Sequence, residues 1–199
     1  MIGVVLLAAG SASRMGEPKQ LLEWNKESFL QRAIRELKDS EIGPVVVVTG
    51  AWSTLIHPHL EALEVAFCEN LNWKKGMGSS MQTGLQFLIA TYPELEACLL
   101  VLVDQVLIQA SHLQKLVQVY RVNGEVPVAA AYQGRLGVPA LFPKAYFPNL
   151  LDLPPQVGAR KLLNQPNLEV QSIPLPEAAF DIDTPEAYAQ LLAGSHQKN

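Results

Sequence analysis

Ile2-Gly3-Val4-Val5-Leu6-Leu7-Ala8-Ala9-Gly10 opens the chain as an apolar run that breaks into small residues, and Ser11-Ala12-Ser13-Arg14-Met15-Gly16-Glu17-Pro18-Lys19 follows it. The first part reads as a buried strand. The second reads as a small-residue loop carrying one Arg and one Lys. Small side chains let backbone N–H groups approach an anion, and the two cations neutralise it. A strand feeding a basic, Gly-containing loop is how α/β proteins hold nucleotide phosphates. A surface turn with incidental charges has the same composition, but the position directly after the first strand favours the functional reading. Spacing excludes two familiar phosphate loops. The loop has glycines only at Gly10 and Gly16, so G-x-G-x-x-G fails, and Lys19 lies between Pro18 and Gln20, so the Gly-Lys-Ser/Thr ending of a P-loop fails too.

Working outward, apolar runs alternate with helical patterns. A helix is expected from about Ser28 to Lys38, with Phe29, Ala33, Ile34 and Leu37 on one face. Val45 to Gly50 reads as a buried parallel strand. A helix near Leu55 to Leu63, a short strand at 65–67 and a helix from about Ser80 to Tyr92 follow. Cys98 to Val103 is the next buried strand, then a helix from Ser111 to Arg121 and a strand from Val126 to Tyr132. The Pro-rich last third reads as excursions around the active face, late strands and a closing helix. This alternation predicts a Rossmann-like α/β three-layer sandwich with a mostly parallel sheet. No domain boundary or repeat is visible, so residues 1–199 are expected to form one domain.

Composition narrows the function. The chain is 49% hydrophobic and 17% charged, with a net charge of −4. That balance is globular and argues against nucleic acid as a main partner. No apolar stretch approaches the roughly 18 residues of a membrane span, and the N-terminus lacks the basic residues of a signal peptide. Cys68 and Cys98 lie in or beside strand-like segments and suit reduced core thiols. A cytoplasmic protein is the expectation. His57 and His59 flank Pro58 with no third ligand nearby, so they suit an exposed segment better than a zinc site.

Three further segments carry candidate chemistry. Asp104 follows the run ending at Val103, at the carboxyl end of a central strand where open α/β sheets bind ligands. It suits either a metal ion or a turn. Asp181 and Asp183 alternate away from Ile182, which puts both carboxylates on one face if the segment is extended. Thr184-Pro185 is equally a good helix start, with Asp183 placing negative charge at its positive N-terminal end. In Trp73-Lys74-Lys75-Gly76-Met77-Gly78-Ser79-Ser80-Met81-Gln82-Thr83-Gly84, Ser79 or Ser80 suits a helix N-cap, and the free N–H groups there also suit an anion. Gly84 inside that helix points to close backbone or ligand approach. Thr49 and Gly50 end the second buried run on the same rim and suit either a base contact or a strand-ending turn.

Leu7-Ala8-Ala9-Gly10-Ser11-Ala12-Ser13-Arg14-Met15-Gly16-Glu17-Pro18-Lys19-Gln20-Leu21-Leu22 resembles the L-A-A-G-x-S-x-R-M-G-x-P-K-x-L-L signature of the molybdenum cofactor cytidylyltransferases, related to the molybdenum guanylyltransferases. Ala12-Ser13 reverses the small and polar residues of some members. Val103-Asp104-Gln105-Val106 is similar to the family's A-D-Q-P, with Val106 in place of Pro, a change expected to loosen the turn. The Gly78 segment resembles W-x-x-G-M-G-S-S-x-x-x-G, and Asp181-Ile182-Asp183-Thr184-Pro185 resembles the late motif. The resemblance spans Leu6 to Leu192. Two departures, Val138 in G-V-P-A-L-F and Gln156 before Val157-Gly158-Ala159-Arg160, fall where the acceptor should lie.

The resemblance implies a Mg²⁺-dependent nucleotidyltransferase that moves CMP from CTP to the terminal phosphate of molybdopterin and releases pyrophosphate. It implies Arg14 and Lys19 as catalytic cations and Asp104 and Asp183 as metal ligands, with Asp181 an orienting partner. It implies a nucleotide site formed by Leu7, Ala8, Ala9, Gly10, Ser11, Ser13, Arg14, Lys19, Thr49, Gly78, Ser79 and Ser80. A molybdenum hydroxylase is the implied client. Rival readings are a guanylyl- or sugar-phosphate nucleotidyltransferase, an NADPH-linked reductase and a non-catalytic cofactor maturation factor. Ala9 and Pro18 favour the cytidylyl type over the guanylyl type, which carries L-A-G-G and an Asp before the Lys. The missing G-x-G-x-x-G counts against the reductase.

Overall fold

A computed structural model describes residues 1–12 and 14–195. Strand β1 (Ile2–Leu7) is buried along its whole length. It pairs in parallel with β4 (Val45–Thr49) on one side and β6 (Ala97–Leu102) on the other, so Val5 faces Val46 and Leu100. Beyond β4 lies β5 (Ala66–Glu69), also parallel. Beyond β6 lie β8 (Arg135–Pro143), antiparallel, then β7 (Val128–Tyr132) and β9 (Gln171–Pro174). The seven-stranded sheet therefore runs β5-β4-β1-β6-β8-β7-β9, with β8 alone reversed. A small hairpin, β2 (Glu23–Trp24) with β3 (Glu27–Ser28), lies outside it.

Alternation along β1 builds the three layers. Val4, Leu6 and Ala8 face helices α1 (Phe29–Asp39), α2 (Ser53–Ala62) and α4 (Ala110–Asn123), through residues such as Ile34, Ile56 and Leu116. Val5, Leu7 and Ala9 face the other way. They meet α3 (Met77–Thr91), α5 (Phe147–Leu151) and α6 (Ala159–Leu163), through Met81, Leu150 and Leu162. Sheet strands covered on both sides need near-continuous apolar sequence, which is what β1, β4 and β6 have. Gly84 serves this packing and not a ligand. A Cβ there would come within 2.6 Å of Val5 and 2.7 Å of Val48, so glycine lets α3 lie close on the sheet.

Ser28 caps α1 with a reciprocal capping box to Gln31. Helix α7 (Pro185–Ser195) starts at Thr184-Pro185 as expected, with Ala187 N–H donating to Thr184 Oγ1 at 3.3 Å. Ile182 and Leu191 pack with Leu22, Phe29 and Val106 in a third apolar cluster. That cluster fastens the loop after β1, the loop after β6 and the arm before α7 to one another. Val106 is not loose. It is buried there, and its carbonyl accepts from Arg32 Nε at 2.7 Å, which replaces the stiffness a Pro would bring. No helix among the described residues is long and apolar enough to cross a membrane.

Candidate active site

The strand order reverses direction at β1: the chain steps from β1 outward to β4 and β5, then returns to β6 on the other flank. Open α/β sheets present a crevice at such a point, beyond the strands' carboxyl ends. A cavity of about 370 Å³ occupies it here. Its walls include Leu7 at the end of β1, Ala8, Ala9, Gly10 and Ser11 from the first loop, Lys19, Ser80 from α3 and Asp104 after β6. Gly10 has nothing within 4 Å of the position a Cβ would take, so its backbone opens directly onto this space. Ser13 lies outside the described residues.

The loop is held from behind. Gln20 is fully buried, and its Nε2 donates to the carbonyls of Ala8 at 2.6 Å and Gly10 at 3.1 Å. Trp52 Nε1 donates to Ser11 O at 2.9 Å. With those carbonyls turned inward, the loop is anchored from the protein side. Gln20 and Trp52 are positioning residues that the sequence reading passed over. Gln20 stood inside the quoted motif, but Trp52 lies 41 residues from Ser11 and leaves no local signal.

Lys19 is 9% exposed and Asp104 8%. The Lys19 ammonium donates to Asp104 Oδ2 and, at 2.9 Å, to Asp183 Oδ1. Arg14 reaches the other Asp183 oxygen at 3.3 Å. Burial works against the Lys19 charge, but Asp104 and then Asp183 outweigh it and hold the ammonium above its ordinary range. Burial likewise opposes ionisation of Asp183, and Lys19 with Arg14 outweighs it, so that carboxylate is held below its ordinary range. Asp181 goes the other way. Burial first, then the charges of Asp104 and Asp183, push it up to about 6.

The carboxylates thus have different tasks. Both Asp183 oxygens are engaged by cations of the chain itself. Asp104 Oδ1 and Asp181 Oδ1 are buried with no hydrogen-bond partner. No three His, Cys, Asp or Glu side chains among the described residues are grouped so as to hold a metal ion by themselves. An all-oxygen set of one or two carboxylates nevertheless suits Mg²⁺, which keeps waters and takes substrate phosphates for the rest of its shell. The two unpartnered oxygens fit that pattern.

A second cavity, of about 320 Å³, adjoins the first and shares Leu7, Met77 and Leu102 with it. It is lined by Tyr132, Val138, Gln156, Arg160 and Asp181 among others. The departures at Val138 and Gln156 both fall on its wall. Asn164, following α6, exchanges hydrogen bonds with the backbone of Leu136 in β8 and so seats the helix that carries Arg160.

The Gly78 segment is used differently from the expectation. Helix α3 begins at Met77 with Gly76 as its N-cap, one turn earlier than a Ser79 or Ser80 cap would place it. The Ser79 N–H is not free for an anion, because it donates to Pro155 O at 2.9 Å. A Cβ on Gly78 would lie 2.3 Å from Val157 O. Gln82 Nε2 donates to Leu151 O and Leu153 O, at 2.8 and 2.7 Å. The start of α3 therefore clamps the 151–158 segment and builds the second cavity's wall. Asn70 Nδ2 donates to both the Ser79 and the Ser80 hydroxyls; Ser79 is further tied to the Gly76 and Asn72 carbonyls, and Ser80 lines the first cavity. Thr49 is fully buried. Its hydroxyl meets His57 Nε2 at 2.9 Å and Cys68 O at 3.4 Å, away from the cavity. His57, which also packs against the Phe67 ring at 4.6 Å between centroids, is partly buried, while His59 is exposed.

Comparison with known proteins agrees with this architecture. Residues 4–170 match the model of the MobA-like NTP transferase domain. The purine catabolism protein PucB of Bacillus subtilis (strain 168) is 26% identical over 200 residues, covering 94% of each chain. A probable molybdenum cofactor guanylyltransferase of Bacillus cytotoxicus is 29% identical over 96 residues. That match spans about half of either protein, 47% of each. Among solved structures, Rv0371c of Mycobacterium tuberculosis H37Rv shares the fold with a TM-score of 0.80 at 23% identity, over 96% of this chain and 98% of that one. The strand order, the crevice beside β1 and a family match covering most of the sequence agree: the chain belongs to the MobA-like NTP transferase family.

Proposed function

We propose that this nucleotidyltransferase moves CMP from CTP to the terminal phosphate of molybdopterin and releases pyrophosphate. The observation that carries the reading is the Lys19 ammonium, held by Asp104 and Asp183 at the edge of a cavity walled by the small-residue loop. The match to a probable molybdenum cofactor guanylyltransferase supports the acceptor class. The full-length likeness to PucB joins it to a protein named for purine catabolism, a setting in keeping with a molybdenum hydroxylase client.

The chemistry asks little of a general base, because an acceptor phosphate is already an anion. The barrier lies in bringing two anions together, so positioning and charge neutralisation carry the catalysis. Lys19 and Arg14 neutralise the triphosphate and the departing pyrophosphate. The backbone from Ala8 to Ser11 shapes the nucleotide's bed, held rigid by Gln20 and Trp52. Arg160 draws the acceptor's phosphate into the second cavity, whose apolar wall suits a flat heterocycle. In place of the Asp104–Asp183 pair that the resemblance implies, a divalent cation would be held by Asp104 and Asp181, whose Oδ1 atoms lack partners, with Asp183 beside them, and would add charge neutralisation at the reacting phosphates.

Guanylyl transfer is the second reading, favoured by the name of the Bacillus cytotoxicus relative. Pyrophosphate release measured with CTP, GTP, ATP and UTP, each with and without molybdopterin, tests both. CTP-dependent release that requires molybdopterin is the expected result. Release with GTP alone replaces CTP by GTP. No release with any nucleotide, alongside pterin binding, would leave a carrier role.

A further inference from the structure

We propose that Lys19 and the divalent cation compete for the Asp104 carboxylate, so that the cation binds well only in company with a triphosphate that draws Lys19 away. The inference rests on the nucleotidyltransferase reading, and assigns Lys19 a second task within the same site.

Three observations carry it. Two of the three donors of an ammonium group are committed, one to Asp104 Oδ2 and one to Asp183 Oδ1. The Lys19 and Asp104 side chains are each only 11% exposed, so their charges are poorly screened. The second Asp104 oxygen is buried without a partner, which is where a cation would attach. A cation on that oxygen lies within a few ångström of the Lys19 ammonium on the same carboxylate. Like charges that close repel strongly where water does not screen them.

A triphosphate relieves the conflict. Its oxygens offer Lys19 and Arg14 new anionic partners and offer the cation further ligands. Lys19 then exchanges carboxylate for phosphate, and Asp104 is free for the cation. Binding of nucleotide and cation is thereby coupled, and the coupling is reciprocal. It also keeps a buried acid neutralised whichever partner is bound, which leaves no step at which Asp104 sits charged and alone.

The test compares Mn²⁺ binding without nucleotide, read by the electron paramagnetic resonance of free Mn²⁺, in wild type and Lys19→Met. The Met side chain keeps the stem and removes the charge. The variant is expected to bind Mn²⁺ about tenfold more tightly or better, because a poorly screened like charge a few ångström from the cation is removed. Adding Asp104→Asn to the variant should abolish the gain. Equal affinity in wild type and Lys19→Met overturns the proposal, as does a gain that survives loss of Asp104. If Lys19→Met does not fold, the wild-type Lys19 ammonium is followed directly by ¹⁵N-lysine NMR. Mg²⁺ alone should leave its signal in place, whereas Mg²⁺ with CTP or GTP should move it. Displacement by millimolar Mg²⁺ alone overturns the proposal. Failure of the transferase reading looks different: no nucleotide then releases pyrophosphate, while the Mn²⁺ comparison gives its own answer.

Discussion

Lys19 and Asp183, 164 residues apart in sequence, meet at 2.9 Å between Nζ and Oδ1, with Asp104 on the same ammonium. One nitrogen therefore joins the loop after β1, the loop after β6 and the arm that precedes α7. The third apolar cluster of Leu22, Val106 and Ile182 lies under the same three segments and holds them at that distance.

Lys19→Ala should lower turnover by about a hundredfold or more, the scale for loss of one preorganised donor at a developing charge. Steady-state pyrophosphate release measures it. Turnover within a few-fold of wild type would remove Lys19 from the catalytic group.

Asp104→Asn should abolish metal-dependent turnover and leave the fold intact, since the amide matches the carboxylate in shape and Lys19 keeps Asp183 as a partner. Circular dichroism and a Mg²⁺ titration of activity check the two halves. Mg²⁺ activation of wild-type size in the variant would deny Asp104 a part in holding the cation.

Gln20→Leu strips the Ala8 and Gly10 carbonyls of a buried donor. A lost buried partner costs about 1–3 kcal/mol, so the urea midpoint should fall accordingly. KM for the nucleotide should rise as the loop slackens. A stability loss with an unchanged KM would confine Gln20 to the fold.

Asp181 gives the pH dependence. Its carboxyl is pushed up to about 6 from an ordinary 3.8, so the folded state resists its ionisation. The resulting destabilisation is absent below pH 3.8, grows as pH rises to about 6 and is constant above that. Asp181→Asn should therefore be more stable than wild type at pH 8, by about 1 kcal/mol after solvent screening of a partly exposed group, and no more stable at pH 3.5. Thermal melts at the two pH values decide. A gap of the same size at both would contradict the electrostatic origin.

Gly78→Ala drives a Cβ to within 2.3 Å of Val157 O. The obstacle is backbone, so the 151–158 segment must shift, at a cost of about 1–3 kcal/mol by the usual scale for overpacking. Denaturant midpoints measure the cost. KM for the acceptor should rise more than KM for the nucleotide, because the displaced segment walls the second cavity.

The parallel strands of the first two-thirds, the layer order and the loop after β1 were legible in the sequence, because a strand buried on both faces leaves an unbroken apolar run and a turn leaves small residues behind it; the reversed strand β8, with Pro139 inside it, was not. β1, β4 and β6 sit within a residue or two of where the apolar runs place them. The α3 boundary was not legible. Gly76 at φ 118° is the N-cap and the helix starts at Met77, ahead of either Ser, in a register set by contacts with the distant 151–158 segment, among them Ser79 N–H to Pro155 O.

By itself, then, the sequence determined the parallel core of the sheet, which rim carries small residues and charge, and which acids stand near it, since burial and turn chemistry are written into neighbouring residues. Tertiary structure alone decided how those acids divide. Asp183 takes the chain's own cations, Asp181 is pressed toward its neutral form and Asp104 keeps one oxygen unpaired. It also decided that Thr49 turns to His57 and that the Ser79 N–H at the start of α3 is taken by the Pro155 carbonyl. Such outcomes depend on which distant groups arrive within about 3 Å of one another, the range over which hydrogen bonds act, and no local stretch of sequence encodes that approach.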